Sequence, residues 1–134
     1  MTNDSNPNVE LRFVLIDDSP FDAKLIEMSL RSSMACHVVV VGSRDEFLAE
    51  LDRARPDVII SDTNLPSFDG LSALALAKQY CPEVPFVVCS GVVSEDLKTT
   101  ALALGVKAWL SKDHIDHLVM AVGKLCGERV ADGR

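Results

Sequence analysis

The feature that most constrains this chain is a regular alternation of short, unbroken apolar runs with longer segments of helical period, repeated five times. Leu11–Ile16 is the first run, and Pro20–Met34 follows as an amphipathic segment carrying Phe21, Leu25, Met28 and Leu30. Cys36–Val41 is short and β-branched, which reads as a strand. Ser43 then opens a capping box with Glu46 three residues on, and Phe47, Leu48 and Leu51 mark the buried face of a second helix. Asp57–Ser61 is the third strand and Gly70–Tyr80 an Ala/Leu-rich third helix. Pro85–Ser90 is the fourth strand, between proline and glycine. Ser94 caps a helix reaching Leu104, with Gly105 closing it. Lys107–Leu110 is the fifth strand, and Asp113 caps a last helix carrying Ile115, Leu118, Val119, Val122 and Leu125.

Strands apolar on both faces and joined by helices belong in a parallel sheet covered on each side, an α/β fold. Right-handed crossovers leave few topologies for five such units, and the flavodoxin-like, doubly wound five-stranded parallel sheet of order 2-1-3-4-5 with five helices is the expected one. The reading divides the chain into a lead-in over residues 1–10, one domain over 11–126 and a polar tail over 127–134. In such sheets function gathers in the crevice beyond the carboxyl ends of the strands.

Composition narrows the function. The 134 residues suffice for one core, and a net charge of −7 repels phosphate backbones and anionic lipid, so no direct nucleic acid or membrane contact is expected. MTNDSNPNVE lacks the basic start and apolar stretch of a signal peptide, which reads as cytoplasmic. Cys36, Cys81, Cys89 and Cys126 have no CxxC spacing, so they read as reduced and structural. Met1 and the natural-looking lead-in read as the start of a stand-alone regulator or relay, with excision from a longer protein the alternative.

At the strand ends stand Asp17 and Asp18 after the first strand, Asp62 after the third, Ser90 at the end of the fourth and Lys112 just beyond the fifth. Taken singly, each has an ordinary structural use: a helix cap for the Asp pair, an Asx-turn for Asp62, a strand-to-loop junction for Ser90 and a solvated cation for Lys112. Together they converge on one rim. Two carboxylates ~4 Å apart repel by about 4 kcal/mol at an effective dielectric near 20, and a hard divalent cation relieves that; all-oxygen ligation suits Mg²⁺. A carboxylate nucleophile, a metal, a hydroxyl and an ammonium make a phosphoryl-transfer site.

These residues resemble the response-regulator receiver domain of two-component signalling, over about Arg12 to Leu125. VLIDDSP (Val14–Pro20) is similar to the acidic pair of that family and DTNLPSFDG (Asp62–Gly70) to its phosphorylation motif. CSG (Cys89–Gly91) falls at the hydroxyl position, and GVKAWLSK (Gly105–Lys112) at the stretch ending in an essential lysine. The resemblance implies that Asp62 accepts a phosphoryl group from the phosphohistidine of a histidine kinase or histidine phosphotransfer protein. It further implies that Asp17, Asp18, Asp62 and the backbone carbonyl of Asn64 hold Mg²⁺, with Asp18 in direct contact and Asp17 acting through water. Ser90 and Lys112 would bind phosphoryl oxygens. As a switch, Ser90 would move inward and vacate space for Trp109, repacking the helix 4–strand 5–helix 5 face toward an unknown downstream protein target. Such a module is not an enzyme on other substrates.

The chain departs from that pattern in three places. Asp113 follows Lys112 where the family has a proline after a cis peptide, so a trans bond is expected. Trp109 replaces a Tyr or Phe, which places the switch in question rather than the chemistry. Asn64 and Val92 lie where the family tunes phosphate hydrolysis. Other functions remain open from residues alone. A haloacid-dehalogenase-type phosphatase also uses an Asp nucleophile, but Asn64 stands where its second Asp belongs and the motif is on the third strand. A receiver fold used only for binding would lack an acceptor, an acidic ligand or the lysine. A flavodoxin-type electron carrier would need a Ser/Thr-rich phosphate loop where Asp17–Pro20 stands. His114 and His117, three apart, and His37 read as surface or edge histidines.

Overall fold

The computed structural model describes residues 10–63, 70–91 and 94–131. Its elements alternate throughout: β1 Leu11–Ile16, α1 Pro20–Ser33, β2 Cys36–Val41, α2 Arg44–Arg53, β3 Val58–Ser61, α3 Gly70–Tyr80, β4 Phe86–Ser90, α4 Glu95–Ala103, β5 Ala108–Ser111 and α5 Ile115–Ala131. The strands form one parallel sheet of order β2-β1-β3-β4-β5, as the alternation and crossover rule require.

Strand pleating divides the core. Val14 and Ile16 of β1 face one side with Ile59, Phe86 and Val88, and Phe47 of α2, Ala73, Leu74 and Ala77 of α3 and Ala101 of α4 cover them. Phe13 and Leu15 face the other side with Ile60, Val87 and Cys89, beneath Ile26 and Leu30 of α1 and Leu118 and Val122 of α5. Burying one such Leu, Ile or Phe side chain is worth about 1.5–3 kcal/mol, so the two clusters fix both layers of helices. All four cysteines are buried free thiols, Cys36, Cys89 and Cys126 in one cluster and Cys81 in the other.

Helix ends follow local chemistry. Ser19, Ser43 and Ser94 each accept the backbone N–H three residues on. The Ser43–Glu46 capping box is half reciprocal: Glu46 Oε1 accepts from Gly42 N–H at 2.7 Å, one residue before the cap. Gly105 has φ 111°, and the Val106 and Gly105 N–H groups return to Ala101 O and Leu102 O at 3.0 and 3.1 Å, closing α4 in a Schellman motif.

Boundaries differ from the sequence reading by a residue at several points. Asp57, Pro85 and Lys107 still join the ladder through the bonds Asp57 N–H to Arg12 O, Ile59 N–H to Pro85 O and Lys107 N–H to Phe86 O. Asp113 is not the residue flanking α5. It lies in the turn Ser111–His114, closed by Asp113 N–H on Ser111 Oγ and His114 N–H on Ser111 O, and His114 precedes the first helical residue. The Lys112–Asp113 peptide is trans. α5 continues past residue 126 to Ala131.

Of the apolar residues read on α1, Leu30 is buried with Ala23 and Ile26, whereas Phe21, Leu25 and Met28 are 72%, 40% and 55% exposed. Their i, i+4, i+7 spacing leaves them as an outward stripe.

Candidate functional site

Register brings the strand ends together. Ile16 pairs with Ser61, and the ladder continues one step further as Asp62 N–H bonds Ile16 O at 2.9 Å. Asp17 N–H bonds Val41 O on the other side. Ser90 pairs with Ser111, and Lys112 N–H bonds Ser90 O at 3.0 Å. Asp17, Asp62, Ser90 and Lys112 are therefore held by sheet hydrogen bonds at one rim, where position is set by the most rigid part of the fold.

Their side chains meet around the Lys112 ammonium. Nζ lies 2.8 Å from Asp17 Oδ2, 2.9 Å from Asp62 Oδ2 and 3.0 Å from Asp22 Oδ2. Asp17, Asp62 and Ser90 are buried, and Asp18 is exposed beside them. One carboxylate oxygen from each of Asp17, Asp18 and Asp62 lies within 4.8 Å of the others. Ligand oxygens about 2.1 Å from one octahedral ion fall within such a span, and a hard, all-carboxylate donor set fits Mg²⁺. The residues present thus suit that ion.

Electrostatics at the rim are lopsided: one ammonium faces the carboxylates of Asp17, Asp62 and Asp22, and Asp18 stands near Asp17 and Asp62 as a fourth. Burial pushes the Asp17 carboxyl above its ordinary range, and Asp62 adds to that; the Lys112 ammonium and the Ser19 N–H, 2.9 Å from Asp17 Oδ1, pull the other way. Burial alone would lower Lys112, but its bonds to Asp17, Asp62 and Asp22 outweigh it and hold the ammonium above the usual lysine value. The lysine is fully protonated at neutral pH and neutralises one of the four charges.

Two members of the site were not singled out in the sequence. Asp22 stands in the first turn of α1, where an acid reads as an ordinary partner of the helix dipole. Its signal was position, one helical turn beyond the acidic pair. Thr63 follows Asp62, and its Oγ1 lies 2.8 Å from Ser90 Oγ. Asn64 and Val92 lie outside the described residues.

Trp109 is half-buried on β5, paired with Val88. It lines a cavity of about 140 Å³ with Thr63, Val88, Leu97, Ala101 and Val106. Thr63, whose hydroxyl touches Ser90, and Trp109 thus line one cavity. Elsewhere, His114, Asp116 and His117 offer ligand atoms within 4.8 Å of one another on an exposed turn. The two imidazoles are stacked at 4.9 Å, an arrangement that sets their in-plane lone pairs side by side rather than at one point.

The family model described as the response regulator receiver domain matches residues 13–123. Among curated proteins, a protein-glutamate methylesterase/protein-glutamine glutaminase of Syntrophus aciditrophicus is 33% identical over 108 residues, covering 78% of this chain and 31% of that protein. The chain therefore spans about a third of the length of that relative. The chemotaxis protein CheY of Listeria monocytogenes is 26% identical over 102 residues, covering 76% of this chain and 86% of CheY. Among solved structures, the receiver domain of a sensor histidine kinase from Pseudomonas aeruginosa, with a magnesium ion coordinated in its active-site cleft, superposes with a TM-score of 0.77 at 24% identity. It covers 89% of this chain and 99% of that one. Among the described residues, no helix is long and apolar enough to cross a membrane.

Proposed function

Because the chain belongs to the response regulator receiver domain family, we propose that it accepts a phosphoryl group on Asp62 and relays that event to a protein partner by changing shape. The observation that carries the reading is the Lys112 ammonium, within 3 Å of both buried acids at the strand ends, Asp17 and Asp62. A basic group so placed is positioned to hold an oxygen of a phosphoryl group carried on Asp62.

The transfer is a displacement. An Asp62 carboxylate oxygen attacks the phosphorus of a phosphohistidine on a histidine kinase or histidine phosphotransfer protein. The O–P bond forms as the P–N bond breaks, and the electron pair returns to the imidazole nitrogen, which takes up a proton. Asp17, Asp18 and Asp62, with the carbonyl of Asn64, would hold Mg²⁺, which supplies neutralisation of the acidic cluster and of the phosphoryl oxygens. The magnesium-bound receiver of Pseudomonas aeruginosa supports this assignment. Ser90 and Lys112 bind the remaining phosphoryl oxygens. The chain works on its own Asp62 and no other substrate, in the cytoplasm.

Two surfaces fit the relay. Phe21, Leu25 and Met28 form an apolar stripe on α1, whose first turn reaches Lys112 through Asp22, so a phosphodonor seated there would face Asp62. Leu102, Leu104 and Met120 are exposed on α4, its cap and α5. Ser90 drawn toward the phosphoryl group would loosen its contact with Thr63 at the mouth of the Trp109 cavity, repacking the α4–β5–α5 face.

The test is intact mass after incubation with acetyl phosphate and Mg²⁺. Gain of one phosphoryl group that requires Mg²⁺ and is absent in Asp62→Asn is the expected result. If no adduct forms and beryllofluoride with Mg²⁺ also fails to bind, the phospho-acceptor reading is wrong and the chain is a binding module of receiver fold.

A further inference from the structure

Asp22 has no place in the proposed transfer, yet its Oδ2 lies 3.0 Å from the lysine that would grip the phosphoryl group. An ammonium has three donors, and Lys112 faces three carboxylates, Asp17, Asp62 and Asp22. Two of these sit at strand ends and belong to the acceptor site. The third comes from another element: Asp22 is the third residue after the cap of α1, with its N–H on Ser19 Oγ at 3.3 Å. The helix start fixes its backbone, and the side chain turns inward to the lysine while remaining 38% exposed.

The consequence follows from charge. When Asp62 becomes an acyl phosphate, its carboxylate charge disappears and a dianionic phosphoryl group takes its place. Lys112 must then turn a donor to that group. The donor that faced the Asp62 carboxylate is free to do so, while the bond to Asp22 still ties the ammonium toward the start of α1. Asp22 also sets a fixed negative charge about 5 Å from any phosphoryl oxygen sharing the ammonium, the spacing that tetrahedral donors impose. Both effects act in one direction, against the incoming anion.

The geometry points to Asp22 as a positioning residue that competes with the phosphoryl group for Lys112 and so weakens the site's hold on it. This rests on the phospho-acceptor reading of Asp62. The ligand class is a tetrahedral phosphoryl anion or its mimic, and the fraction of phosphorylated chain at a given donor concentration is what Asp22 lowers.

The experiment is calorimetric titration of beryllofluoride into the whole chain at saturating Mg²⁺, for the natural sequence, Asp22→Asn and Asp22→Glu, with thermal melts of each. Asp22→Asn is expected to bind about 3- to 10-fold tighter, the range one partly screened charge at this separation gives. The gap should narrow in 1 M salt, and Asp22→Glu, which keeps the charge, should stay near the natural affinity. A residue needed only to start α1 would lower Tm without tightening binding or adding salt dependence. If Asp22→Asn fails to melt cooperatively, Asp22→Ser replaces it, removing the charge while keeping a short polar side chain. Equal or weaker binding by the neutral variant, in a background where the natural chain binds, overturns the role of Asp22 alone. Absence of beryllofluoride binding by the natural chain overturns the phospho-acceptor reading and this inference with it.

Discussion

Thr63 Oγ1 and Ser90 Oγ lie 2.8 Å apart, joining the loop after β3 to the end of β4 through two hydroxyls separated by 27 positions in the chain. Thr63 is one residue from Asp62 and also lines the cavity that Trp109 borders. Thr63→Val keeps the shape and removes one hydroxyl. The loss is about 0.5–1.5 kcal/mol, or about 2–5 °C in Tm, measured by calorimetry. The Asp62 adduct should still form, because no carboxylate or ammonium is altered.

Asp17 is a cost in the absence of metal. Burial disfavours its ionised form, so at pH 7 the native state carries a charge it would rather not hold. Asp17→Asn removes that charge while Lys112 keeps Asp22 and Asp62 as partners. The variant should melt about 2–5 °C higher than the natural chain in a chelating buffer at pH 7. The sign follows from the raised carboxyl: the native state holds its proton more tightly than the unfolded chain, so the penalty exists above the ordinary Asp range and fades as pH falls into it. Adding Mg²⁺ should raise the Tm of the natural chain and leave the variant nearly unmoved. A variant that melts lower at pH 7 would refute this.

Legibility of the site depended on where each residue sits. Asp17, Asp62, Ser90 and Lys112 end or follow strands, and the apolar runs mark strand ends to within a residue, so the sheet's topology placed all four on one rim before any coordinates. Asp22 and Thr63 escaped for different reasons. An acid in the first turn of a helix is explained by the dipole alone, and nothing in one sequence says that its carboxylate turns toward a lysine 90 positions away. Thr63 enters through a side-chain rotamer, which periodicity does not encode. The cap of α5 was misread because Ser111 captures the N–H groups of Asp113 and His114, moving the helix start one residue on. On α1, the amphipathic reading named Phe21, Leu25, Met28 and Leu30 without a face; Leu30 goes inward with Ala23 and Ile26, and Phe21, Leu25 and Met28 stay out.

Alkaline pH should destabilise the fold through two groups acting alike, the buried Cys89 thiol and the partly buried Lys112 ammonium. Burial pushes the Cys89 thiol from 9.0 up to about 12. Between those values the unfolded chain loses the proton and the native chain keeps it, so unfolding gains about 1.4 kcal/mol per pH unit from this group. Lys112, raised above 10.5, contributes stability present below that value and lost as pH climbs through its native value. Urea midpoints measured from pH 8 to 11 should fall progressively above pH 9, and Cys89→Ala should show a shallower fall from a slightly lower start. Identical slopes would exclude Cys89 as a source. By the same argument, native protein at pH 8 should resist thiol alkylation until denaturant is added.

Trp109 is the chain's single tryptophan, so its emission reports one site. Trp109 is half-buried and borders a cavity of about 140 Å³ that is also lined by Ala101 of α4, itself fully buried. If the acceptor event draws Ser90 away from Thr63, the indole gains room at the mouth of that cavity and moves toward Val88, Leu97 and Ala101. Beryllofluoride with Mg²⁺ should then shift the emission to shorter wavelength and reduce quenching by iodide, both absent in Asp62→Asn. Ala101→Leu separates motion from chemistry: the added side chain occupies the cavity, at a cost of about 1–3 kcal/mol where it overpacks. It should abolish the emission shift while beryllofluoride still binds by calorimetry. An emission shift that survives in Ala101→Leu would place the moving part outside the cavity, and an unshifted natural chain that binds beryllofluoride would mean that Trp109 does not take part in the switch.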